Sequence, residues 1–105
     1  MTTCSTHVLD AAAGRPATGV AVRLSHGGTT IAETVTDGDG RVRFDVDLGP
    51  GDHRLTFATG AWFARDGRPA LFPEVLLSFT VTDDQPHYHV ALLLSPYAYT
   101  TYRGS

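Results

Sequence analysis

The sequence has one cysteine, one methionine and one tryptophan among 105 residues. A single thiol, Cys4, cannot close an internal disulfide, and no activating group stands beside it, so a passive thiol is expected. No apolar run approaches the roughly 18–20 residues of a membrane span. Residues 1–6 carry neither a basic patch nor an apolar stretch, so no secretory signal is expected and a reducing cytoplasm fits. Positive charge is scarce as well. A formal net charge of −3 argues against nucleic acid, whose phosphates need a basic surface. There is no Gly-rich phosphate loop, no CxxC pair and no GxSxG elbow. No repeat, low-complexity stretch or linker divides the chain, so one domain over residues 1–105 is expected.

What the chain does hold is turn residues and alternation. It has 11 glycines and 6 prolines, with 42% apolar and 18% charged residues. Turn clusters such as Asp37-Gly38-Asp39-Gly40 and Gly49-Pro50-Gly51-Asp52 recur at short intervals. Between them lie short alternating or β-branched segments at 6–10, 19–24, 29–36, 41–48, 53–59, 74–82 and 87–94. In 41–48, Val42, Phe44, Val46 and Leu48 point one way and Arg41, Arg43, Asp45 and Asp47 the other. Residues 60–73 break the rhythm, and a short helix or irregular loop is expected there, packing Trp62 and Phe63 inward. The expected fold is all-β, an antiparallel sandwich of seven to eight strands with one short helix.

The residues able to carry chemistry are few. In His87-Tyr88-His89-Val90-Ala91-Leu92-Leu93-Leu94, strand alternation puts His87 and His89 on one face. Tyr88, Val90, Leu92 and Leu94 take the other face, read as the core side. Two histidines opposite a core are either solvated or part of a site. His7 lies on the first strand, and Arg41 opens a strand directly after a glycine turn, a place where surface charge is ordinary. The tail, with Tyr97, Tyr99 and Tyr102 before Arg103-Gly104-Ser105, is too aromatic for a free end. It points to a self-association surface or a pocket lid. Histidines spaced i, i+2 on a strand could also hold zinc, with His7 a distant third, but no carboxylate or cysteine is spaced as a further ligand.

Three segments together resemble the transthyretin-related 5-hydroxyisourate hydrolases. They are Ser5-Thr6-His7-Val8-Leu9-Asp10 with Gly14-Arg15-Pro16-Ala17, then Thr36-Asp37-Gly38-Asp39-Gly40-Arg41, then His87-Tyr88-His89-Val90 through to Tyr102-Arg103-Gly104-Ser105. Phe72-Pro73-Glu74-Val75 also fits. The likeness runs nearly end to end, and the terminal Tyr-Arg-Gly-Ser marks the hydrolase branch of the family. One departure is Ala91, where the family usually has proline; alanine keeps its ladder N–H and suits a strand.

The resemblance implies a transthyretin-like sandwich and hydrolysis of a cyclic amide. The substrate implied is 5-hydroxyisourate, and the product is 2-oxo-4-hydroxy-4-carboxy-5-ureidoimidazoline, in urate breakdown. It implies a catalytic set of His7, Arg41, His89 and Ser105, with His7, Arg41, Tyr102 and Arg103 binding substrate. His87 is then the near neighbour of the catalytic His89. It also implies no metal or other cofactor, and a homotetramer, a dimer of dimers, with sites in the channel between dimers. The chemistry suits the residues. Histidine takes and gives protons near neutral pH, and arginine offers a fork of donors to adjacent carbonyls or a developing oxyanion. Ser105 would bring a hydroxyl and a terminal carboxylate. The rival readings are a non-enzymatic β-sandwich binding module, a transthyretin-like small-ligand carrier, and a zinc hydrolase.

Overall fold

A computed structural model describes residues 1–104, and among these the chain forms nine strands and one helix. In order they are β1 (Thr3–Asp10), β2 (Arg15–Pro16), β3 (Ala21–His26), β4 (Thr29–Val35), β5 (Arg41–Phe44), β6 (Gly51–Phe57), α1 (Thr59–Ala64), β7 (Val75–Val81), β8 (His87–Ser95) and β9 (Ala98–Gly104). They build two sheets. One runs β2-β1-β8-β9 with β5 also paired to β1, and the other runs β4-β3-β6-β7.

The inward residues follow the period of two that the sequence carries. Cys4 and Val8 of β1, Val42 and Phe44 of β5, and Tyr88, Val90, Leu92 and Leu94 of β8 face inward from the first sheet. Val22 and Leu24, Leu55 and Phe57, and Val75, Leu77 and Val81 meet them from the second, forming one continuous core. Helix α1 closes one end of this core through the buried Phe63, while Trp62 Nε1 donates to the Thr18 carbonyl at 2.7 Å. The thiol of Cys4 is fully buried, and burial pushes its pKa up to about 12, so it is an inert packing group.

The sandwich is not wholly antiparallel. β1 and β8 pair in parallel over eight residues, from Thr3 opposite His87 to Asp10 opposite Leu94. Parallel neighbours need a long crossover, and here the second sheet and the helix supply it. Alternation in a sequence reports which face a residue takes, not which way its neighbour runs, so this pairing was not foreseen. The strand expected over 41–48 stops at Phe44, because the Thr2 carbonyl beyond it is taken by the Leu48 N–H at 2.7 Å. The tail, expected to pack on something, forms the edge strand β9 against β8.

Candidate active site

The outward face of the first sheet gathers the residues with chemistry. Its rows follow from register. His7 of β1 stands between Arg41 of β5 and Ala91 of β8, and Ala91 in turn faces Tyr102 of β9. One row over, Ser5 stands between Arg43 and His89, and His89 faces Gly104. Thr3 and His87 begin the next row. His7 and His89 are therefore diagonal neighbours across a parallel strand pair, although 82 residues separate Ser5 from His87 in sequence.

The loop before β5 fixes His7 and Arg41. Gly40 sits at φ 75°, a left-handed conformation that suits glycine. A Cβ there would also collide with the Val8 carbonyl. The Asp37 carboxylate ties the turn by accepting the N–H groups of Asp39 and Arg41, both at 2.9 Å. Those bonds, the Arg41 N–H first, hold its pKa below the ordinary carboxylate range. His7 Nε2 lies 2.8 Å from the Asp39 carbonyl. A carbonyl only accepts, so Nε2 carries the proton and the neutral ring keeps its lone pair on Nδ1. The guanidinium of Arg41 is exposed and makes no ion pair among the described residues.

His89 is half-buried, and its Nδ1 lies 2.7 Å from Ser5 Oγ. The same hydroxyl lies 2.8 Å from His87 Nε2, and His87 Nδ1 lies 2.7 Å from Thr3 Oγ1. Burial pushes the pKa of His89 below the usual histidine value, and the charges of His7, Arg41 and His87 push the same way. His87 is lowered too, by burial and then by Arg43. His89 Nε2 makes no hydrogen bond with the described residues and is the ring atom left for substrate.

The structure thus brings His7, Arg41 and His89 onto one face, with Tyr102 exposed beside them. Arg103 lies differently. Its strand position pairs with the inward Val90, its guanidinium stacks 4.8 Å from the Tyr88 ring, and it donates to Gln85 Oε1 at 2.9 Å. Ser105 lies outside the described residues. An open cleft of about 430 Å³ is lined by His87, His89, Arg103 and Gly104. A depression of similar volume, about 410 Å³, lies against Arg23, Glu33 and Thr56 on the second sheet, so it is side-chain chemistry and not size that singles out the histidine face. Among the described residues, no three His, Cys, Asp or Glu side chains are grouped to hold a metal ion.

Sequence reasoning missed the parts played by Ser5 and Thr3. Their alternation with His7 was visible, but their partners on β8 depend on the parallel register. Gly104 was missed because its place opposite His89 depends on the antiparallel register of β8 and β9.

Residues 4–104 match the model of the HIUase/Transthyretin family. The chain belongs to that family. Within it, the chain is 46% identical to 5-hydroxyisourate hydrolase of Caulobacter vibrioides over the full length of both. Among solved structures of the family, it is similar to 5-hydroxyisourate hydrolase of Klebsiella pneumoniae, with a TM-score of 0.94, 43% identity and full coverage of both chains. It is also similar to transthyretin of Sparus aurata, with a TM-score of 0.89 and 32% identity over 96% of this chain and 95% of that one. The fold is common to hydrolase and transthyretin alike, so the fold by itself does not separate the two activities.

Proposed function

We propose that this protein hydrolyses 5-hydroxyisourate, opening a cyclic amide by general acid–base catalysis without a metal. The observation that carries the reading is the convergence of His7, His89 and Arg41 on one outward face of a chain whose relatives bear the hydrolase name. Water adds to the ring carbonyl while an imidazole removes its proton, and the amide nitrogen leaves as it gains one. His89, held neutral by its surroundings, presents Nε2, and His7 presents Nδ1. Arg41, without an ion pair among the described residues, supplies donors for the developing oxyanion. Tyr102 lines the face, and Ser105 is assigned to the catalytic set as the family motif implies. Arg103, engaged with Tyr88 and Gln85, fixes the end of β9 and thereby the edge of the site.

The transthyretin-like carrier reading is less well supported, because apolar ligand binding makes no use of two imidazoles and a guanidinium in one place. We assign a homotetramer, a dimer of dimers, in which this face becomes the wall of a shared channel. The exposed Tyr97, Tyr99 and Tyr102 support that assignment as surface a partner would cover. A cytoplasmic location is consistent with a lone cysteine.

The test is the decay of freshly generated 5-hydroxyisourate, followed by its ultraviolet absorbance with chelator present. Rate acceleration is expected, and His7→Ala, Arg41→Ala and His89→Ala should each lose roughly 10²-fold or more. Removing residues 103–105 should abolish turnover while the sandwich stays folded. Loss of activity on chelation would favour the zinc reading. Light scattering of the same sample reads the assembly.

A further inference from the structure

A continuous hydrogen-bonded line runs across β1 and β8: Thr3 Oγ1, both nitrogens of His87, Ser5 Oγ, then Nδ1 of His89, with spacings of 2.7, 2.8 and 2.7 Å. Ser5 Oγ has a single proton and stands between two imidazole nitrogens. It can donate to only one of them and must accept from the other. That constraint leaves two neutral arrangements. In one, Thr3 donates to His87 Nδ1, His87 Nε2–H donates to Ser5, and Ser5 donates to His89 Nδ1, so His89 Nε2 bears a proton. In the other, every bond is reversed, and His89 Nε2 presents a lone pair.

We propose that Ser5 and His87 are positioning residues which couple the two histidines, so that His87 stores the proton that His89 takes from water and returns it for the leaving nitrogen. This rests on the hydrolase reading of the same site. The steps balance. With its lone pair on Nε2, His89 accepts a proton from water there and becomes imidazolium. It passes its Nδ1 proton to Ser5 Oγ, and Ser5 passes its own to His87 Nε2. His89 is then neutral with a proton on Nε2, and His87 carries the charge. When Nε2 protonates the departing nitrogen, the line runs backwards and the starting arrangement, with the lone pair on His89 Nε2, is restored. No proton is gained or lost over the cycle.

Burial, and then Arg43 on β5, opposes charge on His87, while burial, and then His7 on β1, Arg41 on β5 and His87 itself, oppose it on His89, so neither ring is a deep trap for the proton. The β9 position facing His89 is Gly104, which brings no charge. His7 stands outside the line, since its proton is held on the Asp39 carbonyl. The division of labour is therefore two-sided: one histidine with a fixed tautomer, and one whose tautomer switches with its neighbour.

Nitrogen-15 NMR of the imidazoles in the full chain tests this without substrate. In the unsubstituted protein, His87 and His89 should titrate as one pair in two steps. Ser5→Ala should separate them and change the tautomer population of His89, while the His7 signals hold as the control for folding. Ser5→Thr, which keeps the hydroxyl, should restore the coupling. In turnover, Ser5→Ala should lower kcat roughly tenfold with KM within about twofold, at the weak end for acid–base groups because only positioning is lost. Should Ser5→Ala fail to fold, His87→Gln serves instead: glutamine can bond to Ser5 but cannot store a proton, so His89 should titrate in one step. An unchanged His89 tautomer and titration in the folded variants overturns the proposal. Coupled imidazoles in a protein that does not turn over 5-hydroxyisourate would instead overturn the hydrolase reading alone.

Discussion

Gly104 lies flat against the imidazole of His89: a Cβ at position 104 would run into His89 Cδ2 and crowd Cγ at 3.2 Å. The edge strand therefore sets the ring's orientation by omitting a side chain. Gly104→Ala should displace the ring from its present orientation and lower kcat by roughly 10–100-fold, below the loss expected for removing the imidazole altogether. Circular dichroism should report an intact sandwich, and the His89 imidazole resonances should move. Wild-type turnover in Gly104→Ala would show that the ring tolerates displacement.

The acid limb of kcat/KM should lie below the ordinary histidine value of about 6.5, because burial, and then the charges of His7, Arg41 and His87, disfavour protonated His89. The neutral base then persists as pH falls through 6.5 and is lost only lower. Arg41→Gln removes one of those charges, so His89 should titrate at higher pH in that variant, as read by NMR.

Stability should respond to acid through His53. This ring is 2% exposed and stacks on His26 at 4.2 Å. Burial lowers its pKa, and the charge of His26 adds to that, against the hydrogen bond to the Gly51 carbonyl. Below about 6.5 the unfolded chain binds a proton that the native ring refuses, so stability falls with pH until the depressed native pKa is passed. His53→Phe should flatten this slope in urea titrations run at several pH values. His87 and His89 are lowered in the same sense, so part of the slope should remain.

Arg68 and Asp10 should matter to folding rather than turnover. They meet at 2.9 Å, with the Asp10 side chain wholly buried and that of Arg68 26% exposed. Burial alone would raise the Asp10 pKa, but the Arg68 hydrogen bond and the Ala13 N–H outweigh it and hold it low. Arg68→Met would strand a buried carboxylate and should cost about 3 kcal/mol, the low end for breaking a buried pair. The loss should be measured by denaturant titration at fixed protein concentration.

The face assignments were legible in the sequence because side-chain alternation is local. Val42 and Phe44 are inward, Arg41 and Arg43 outward, and His87 and His89 lie opposite Tyr88 and Val90, as the alternation predicts. Which outward residues meet was not legible, since that depends on strand order and direction. Ser5 reads as an ordinary strand serine until β8 lies beside it in parallel. Arg103 belongs to the tail motif, and its guanidinium, stacked on Tyr88, also borders the cleft of His87 and His89, a placement set by the β8–β9 register.

The parallel partnership of β1 with β8 also has a kinetic meaning. Thr3 and His87, which open that pairing, are 84 residues apart. Joining such distant segments carries a large loop-closure entropy and slows folding. On the ribosome, β1 must wait, its partner edge unfilled, until β8 has been synthesised. Catalytic competence would therefore arrive in one late step, and a chain interrupted before β8 would have no half-built site with partial activity.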